Sequence, residues 1–146
     1  MKVFTIGFTQ KRAETFFDLL CRHEIQRLVD VRISPDGQLS GFAKREDFPY
    51  FLSKLVSGCR YVYMPELAPT KEIMKEYRAD WNWPRYAERF DALMRERRIP
   101  ESLDRADFET LRSCLLCSEP TAAQCHRRLV GERLIAHWPA VELIHL

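Results

Sequence analysis

The segment from Cys114 to Arg128 holds the greatest density of reactive side-chain types in the chain. It reads Cys-Leu-Leu-Cys-Ser-Glu-Pro-Thr-Ala-Ala-Gln-Cys-His-Arg-Arg. Thiolates are nucleophiles, imidazole and carboxylate groups transfer protons, and guanidinium groups hold phosphates and carboxylates. The pattern predicts a strand that ends at Cys117, a short polar loop, and a helix that begins at about Thr121. We therefore expect a reactive site where this strand meets this helix.

The candidate catalytic residues of the segment are Cys117, Glu119, Cys125 and His126. A helix N-terminus and the neighbouring Arg127 both stabilise a thiolate, so either cysteine could be a nucleophile. Glu119 or His126 would then transfer protons. The competing interpretation is that the thiols are buried apolar groups and that His126, which lies on the apolar face of its helix, is a core side chain.

Other familiar site types do not fit the spacing. A phosphatase loop would need an arginine six positions after Cys117, where Ala123 stands. Cys114 and Cys117 should point to opposite faces of their strand, because successive side chains alternate. Cys125 and His126 would lie about 100° apart on the predicted helix, so both could reach one ion only with strain. We expect neither a metal nor a cofactor.

Alternating strand and helix patterns predict the elements that must position these groups. Strands are predicted at residues 2–8, 27–32, 61–64, 111–117 and 141–146, and helices at 11–23, 48–55, 70–78, from 84, at 103–111 and from 121. The alternation predicts an α/β three-layer domain with a mainly parallel sheet of four or five strands flanked by helices. Loops 7–10, 32–44 and 118–127 should meet at the carboxyl edge of that sheet, where ligands bind in such folds. The loop at 34–44, rich in glycine and proline, is predicted to lack regular structure.

Four residues around this edge are candidate ligand-binding groups: Thr9, Arg32, Lys44 and Arg127. Arg32 is predicted to be the last residue of the second strand, on the same face as Asp30. A carboxylate in the interior of a parallel strand needs a partner. Asp30 could orient Arg32 or Arg127 so that a guanidinium group holds a phosphate or carboxylate, or the ion pair could only brace the fold.

The composition predicts a single α/β domain over residues 1–146, since 46% of the residues are apolar and 30% are charged. With 23 basic and 21 acidic residues the net charge is +2, which is not typical of an obligate nucleic-acid binder. The five cysteines lie mostly in apolar patterns, and no long apolar run is present. We expect reduced thiols, a cytoplasmic location and no membrane association.

Several motifs occur together along the chain. They are Thr5-Ile-Gly7, Asp30-Val-Arg32 with Pro35, Gly41-Phe-Ala-Lys44, Pro65-Glu-Leu-Ala-Pro-Thr-Lys71, and Leu116-Cys-Ser-Glu119 followed by Cys125-His-Arg127. This set resembles the prokaryotic family called domain of unknown function 488, and its last block is the most specific part. The resemblance implies one α/β domain from a bacterium or archaeon and implies no particular reaction. The family's first loop often reads Thr-Ile-Gly-His-Ser, whereas Phe8 and Thr9 stand in the last two places here, which leaves a hydroxyl role but no histidine role.

Together these observations predict a crevice that binds an anionic small molecule, a nucleotide or a nucleic-acid end, with thiol-dependent catalysis. The reason is that thiols, a carboxylate, an imidazole and guanidinium groups meet where open α/β sheets place active sites. The alternative is a non-catalytic nucleic-acid or protein-binding module whose arginines contact phosphates and whose cysteines are structural.

Overall fold

The computed structural model describes residues 1–146 and contains one sheet of five strands, all parallel. The strands are β1 (Lys2–Gly7), β2 (Arg27–Asp30), β3 (Arg60–Tyr63), β4 (Ser113–Cys117) and β5 (Glu142–His145). Their spatial order is β3-β2-β4-β1-β5. The three strands whose carboxyl ends were expected to form the crevice, β1, β2 and β4, are therefore neighbours at the centre of the sheet. The predicted fold class is confirmed.

Helices cover both faces of the sheet. They are α1 (Ala13–Arg22), α2 (Phe48–Leu55), α3 (Lys71–Asp80), α4 (Trp83–Glu96), α5 (Arg105–Thr110) and α6 (His126–His137). Side-chain caps fix three of the starts: Thr70, Asn82 and Asp104 accept hydrogen bonds from the backbone N–H groups of Ile73, Arg85 and Ala106. None of the helices combines the length and the apolar character that a bilayer crossing requires.

Alternation along the strands divides the core into two layers. Val29 and Leu115 pack on the face covered by α4, α5 and α6, whereas Leu28 and Leu116 pack on the face covered by α1 and α2. The same alternation separates the thiols of the C-x-x-C motif. Cys117 belongs to the first layer and Cys114 to the second, so the prediction that these two side chains point apart is confirmed.

Two predicted element boundaries are wrong, and one predicted loop contains a short helix. The last helix begins at His126 rather than at about Thr121, so Cys125 is its N-cap residue. Strand β2 ends at Asp30, which leaves Arg32 in the loop that follows. Within the loop at 34–44, a 3₁₀ helix spans Gln38–Ala43 and is interrupted at Gly41, whose φ of 55° favours glycine.

Strand β1 ends in a glycine because the loop after β4 crosses it at that point. A Cβ atom at Gly7 would lie 1.6 Å from the carbonyl oxygen of Glu119 and 2.9 Å from Nη1 of Arg127. No side chain fits there, since the nearest atom belongs to the backbone. Gly7 thus lets the loops after β1 and β4 pack directly against each other.

We predict that Gly7→Ala lowers the free energy of unfolding by about 3 kcal/mol, because the added methyl group must displace the backbone at Glu119. Urea unfolding measures this change. Gly37→Ala is the matched control, since a Cβ atom there meets nothing within 4 Å and its φ of −67° suits any residue. The control should change stability by no more than about 0.5 kcal/mol. Equal stability of the two variants would contradict the proposed close approach.

Candidate functional site

A pocket of about 630 Å³ opens at the carboxyl edge of the sheet. Residues that follow β2 line one side, residues that follow β4 and begin α6 line the floor, and α3 forms the opposite wall. Five of the candidate residues lie in this lining: Arg32, Cys117, Glu119, Cys125 and His126. The volume is in the range of about 300 to 1,000 Å³ that small-molecule sites occupy.

The other three candidates do not line the pocket. The backbone N–H and the hydroxyl of Thr9 both donate to the carbonyl of Ser118, so Thr9 ties the loop after β1 to the loop after β4. Lys44 lies just after the 3₁₀ helix, away from the pocket lining. Arg127 is only 1% exposed and lies beneath the loop that carries Glu119. These residues can shape the site, but in this structure they do not border its open space.

Two thiols lie side by side at the floor of the pocket. Cys117 is 5% exposed and Cys125 is 3% exposed. The thiol of Cys125 hydrogen bonds to Cys117 and lowers its pKa, and backbone N–H groups and the charge of Arg127 act in the same direction, whereas burial opposes them. The same hydrogen bond, together with burial, raises the pKa of Cys125. The directions of these shifts make Cys117 the more acidic thiol of the pair.

His126 is held by a backbone carbonyl. Its Nε2 atom lies 2.7 Å from the carbonyl oxygen of Val31. Since that oxygen can only accept, Nε2 carries the proton and Nδ1 of the neutral ring is free to accept one. The Sγ atom of Cys117 lies 3.8 Å from Nδ1. The backbone of Val31 therefore fixes the tautomer of this ring.

Cys117, Cys125 and His126 also offer three metal-ligand atoms, all within 4.8 Å of one another. The strain expected from neighbouring helical positions is absent, because Cys125 precedes the first turn of α6. Two other features favour a thiol pair over a metal. Sγ of Cys117 is almost equidistant from the two ring nitrogens, at 3.8 and 3.9 Å, so it lies beside the ring rather than facing one lone pair. In addition, Nη1 of Arg127 lies 3.5 Å from Sγ of Cys125, where its charge would repel a cation.

The guanidinium group of Arg127 joins several elements beneath the pocket. Nη1 donates to the carbonyl oxygen of Glu119 at 2.6 Å, and Nε donates to the hydroxyl of Thr5 in β1 at 3.4 Å. That hydroxyl in turn lies 2.7 Å from Nδ1 of His145 in β5. Arg127 was one of the two expected partners of Asp30, but its hydrogen bonds go to other groups. It acts as a buried brace between β1, α6 and the loop after β4.

Asp30 pairs instead with Arg32, the other expected partner. Nε and Nη2 of Arg32 donate to the two carboxylate oxygens at 2.9 and 2.6 Å, and the hydroxyl of Tyr61 donates to Oδ2 at 2.6 Å. The guanidinium carbon lies 5.2 Å from the ring centre of Phe8 and 5.8 Å from that of Phe48. Nη1 of Arg32 is buried and has no hydrogen-bond partner. The side chain is thus held rigidly and lines the pocket, and its Nη1 group is buried without a partner.

The wall formed by α3 was not anticipated as part of the site. Lys71, Lys75 and Arg78 line the pocket, and their spacing of four and three residues places them on one face of the helix. None of the three forms a salt bridge, whereas Arg85 and Arg89 of α4 are both paired with a carboxylate of α3. This spacing is present in the sequence, where it would equally suit a solvated helix face. With Arg32, the lining holds four cations against the one carboxylate of Glu119.

Comparison with known proteins identifies one family. The family described as domain of unknown function DUF488 matches residues 12–134. This match includes the loop after β2, the wall formed by α3 and both thiols of the site, and it confirms the resemblance noted from the motifs. No curated protein and no solved structure matches the chain significantly.

The lowered pKa of Cys117 predicts the pH dependence of its alkylation. A thiol with an ordinary pKa near 9 loses its thiolate as the pH falls below 9, whereas Cys117 should stay reactive to lower pH. The rate of iodoacetamide addition at Cys117, followed by peptide mass spectrometry between pH 5 and 10, measures this. Cys125→Ala removes the hydrogen bond that lowers the Cys117 pKa most and should shift the profile to higher pH. Cys114→Ala, on the other face of the sheet, is the control; an unshifted profile in Cys125→Ala would contradict the assignment.

Proposed function

We propose that this chain, which belongs to the DUF488 family of domains of unknown function, is a thiol-dependent enzyme that acts on a small anionic substrate. The observation that carries the proposal is the position of Cys117. It ends β4 at the floor of a pocket whose charged lining is almost entirely cationic. A nucleophile and a binding site for negative charge therefore share one opening.

Anion binding is supported by the unused donors around the pocket. Arg32 is oriented by Asp30 and retains its Nη1 group, while Lys71, Lys75 and Arg78 face the same space without carboxylate partners. A guanidinium group held in place loses little entropy when it binds a phosphate or carboxylate. Such a group would bind close to Arg32, with the three cations of α3 adding longer-range attraction.

The surroundings of Cys117 are those of a reactive cysteine. The thiolate lies beside the start of α6 and is stabilised by the Cys125 thiol and by the charge of Arg127. In the first step its sulfur forms a bond to the electrophilic atom of the substrate, and the bond from that atom to the leaving group breaks. The leaving group takes the electron pair of the broken bond and a proton from the thiol of Cys125.

In this mechanism Cys117 is the nucleophile and Cys125 is the general acid, and the hydrogen bond between them links their pKa values. Cys125 is a weak acid while Cys117 is a thiolate, because the hydrogen bond between them raises its pKa. Bond formation consumes the charge of Cys117 and removes this influence, so Cys125 becomes a stronger acid as the leaving group departs. Water then adds its oxygen to the electrophilic atom, the bond to sulfur breaks, and the thiolate of Cys117 is restored. The proton that water loses passes through Nδ1 of His126 to the thiolate of Cys125.

We predict that Arg32→Lys weakens the binding of inorganic phosphate roughly tenfold, because an ammonium group cannot hold Asp30 at two points and still offer a fixed donor. Isothermal titration calorimetry measures the dissociation constant.

Lys75→Ala and Arg78→Ala should each weaken phosphate binding by a smaller factor, and this factor should shrink at high salt. Arg89→Ala is the matched control, since this arginine of α4 is paired with Glu76 and does not line the pocket. Wild-type protein that does not bind phosphate, sulfate or acetate would contradict the proposed anion site.

We predict that Cys117→Ser abolishes turnover, by roughly a thousandfold or more, while phosphate affinity and unfolding free energy stay close to those of the wild type. Hydrolysis of p-nitrophenyl phosphate and p-nitrophenyl acetate provides the assay. Cys114→Ser, which changes a buried thiol on the opposite face, should retain full turnover. Turnover that survives in Cys117→Ser would remove this thiol as nucleophile. Phosphate binding without hydrolysis of either ester would support the non-catalytic binding module, which the burial of both thiols also favours.

A further inference from the structure

We infer that the anionic group bound at this site belongs to a mononucleotide, and that the nucleotide base stacks on Trp81 at the rim of the pocket. This inference rests on the proposed function, because it takes the cationic lining as the phosphate site. It adds the identity of the rest of the ligand. The argument comes from aromatic side chains that anion binding by itself does not require.

Trp81 is an exposed aromatic residue at the rim of the pocket. Its side chain lines the pocket although the residue is 65% exposed. It follows the last residue of α3 with a left-handed φ of 53°, and its backbone N–H donates to the carbonyl of Tyr77 at 2.6 Å. The end of the helix thereby fixes the backbone from which the indole extends. A large apolar surface left open beside a pocket indicates a contact surface for a ligand.

Two tyrosines extend this aromatic end. The ring centres of Tyr77 and Trp81 are 5.2 Å apart in an edge-to-face arrangement, and those of Tyr77 and Tyr86 are 4.6 Å apart. Both tyrosines line the pocket. Burial and nearby negative groups raise the pKa of each phenol, so both rings stay neutral and do not repel an anion. Tyr77 and Tyr86 are 7% and 4% exposed, so they support the exposed indole of Trp81, which is the ring on which a base can stack.

The pocket lining combines cations with an exposed indole. Arg32 and Cys117 belong to the sheet edge, Lys71, Lys75 and Arg78 to α3, and Trp81 to the residue that follows α3. A ligand that contacts both kinds of group carries negative charge and a flat ring. Within a volume of about 630 Å³, a nucleoside monophosphate provides both.

A single nucleotide fits the charge distribution better than a nucleic-acid strand does. The chain has a net charge of only +2. The arginines of α4 that could continue a basic track are paired with acidic residues, Arg85 with Asp80 and Arg95 with Asp91. A strand would need phosphate contacts that continue beyond one pocket.

The experiment compares the 5′-monophosphates of adenosine, guanosine, cytidine and uridine with the four free nucleosides and with inorganic phosphate. Calorimetry gives the affinities, and quenching of tryptophan fluorescence reports stacking. At least one monophosphate should bind tighter than phosphate. Trp81→Ala should weaken its binding roughly tenfold or more without changing the affinity for phosphate, and Trp81→Phe should retain most of it. Tyr50→Ala removes another exposed aromatic side chain, 63% exposed in α2, and should have no effect.

The outcomes separate the two proposals. If phosphate binds but no monophosphate binds tighter, or if Trp81→Ala leaves nucleotide affinity unchanged, the mononucleotide inference is wrong and the anion site stands. If neither phosphate nor any monophosphate binds, both proposals are wrong. A single-stranded oligonucleotide that binds far more tightly than every monophosphate would replace the mononucleotide with a nucleic-acid ligand.

Discussion

The site depends on the hydrogen bonds that the buried guanidinium group of Arg127 donates. A buried charge must be solvated by the protein, and here the contacts are a carbonyl oxygen, a hydroxyl and a thiol. None of them is a carboxylate, so the positive charge is not neutralised locally and helps to stabilise the thiolate of Cys117. The same hydrogen bonds hold the backbone of Glu119 against Gly7, where no side chain could fit. One residue therefore sets both the shape of the loop and its electrostatics.

Arg32 shows the opposite arrangement. Its charge is paired with Asp30, and Tyr61 adds a hydrogen bond to the same carboxylate. The pair contributes little net charge to the pocket, but it fixes the direction of the guanidinium group and leaves one nitrogen without a partner. Of the two buried arginines, Arg127 thus lowers the pKa of a thiol that it does not bond, and Arg32 is held in a fixed orientation beside the pocket. The unpaired cations of α3 complete the attraction for an anion.

Much of the site could be predicted from local patterns. Strand alternation placed Asp30 and Arg32 on one face and separated Cys114 from Cys117, and the structure has both arrangements. Five candidate residues lie in one lining because the carboxyl ends of neighbouring parallel strands share an edge. The wall of α3 was missed for a different reason. Its basic stripe has a helical spacing that would equally suit a solvated face, and only packing against the sheet turns that face to the pocket.

Local patterns in the chain are enough to predict the succession of strands and helices along it, the parallel sheet and the edge at which reactive groups gather. These features follow from periodicities of two and 3.6 residues, which depend on near neighbours in the chain. The tertiary structure alone decided that α6 begins after Cys125, that a carbonyl of Val31 orients His126, and that α3 supplies the third wall. Those outcomes depend on hydrogen bonds and distances between groups remote in sequence. Only packing of the complete fold brings such groups together.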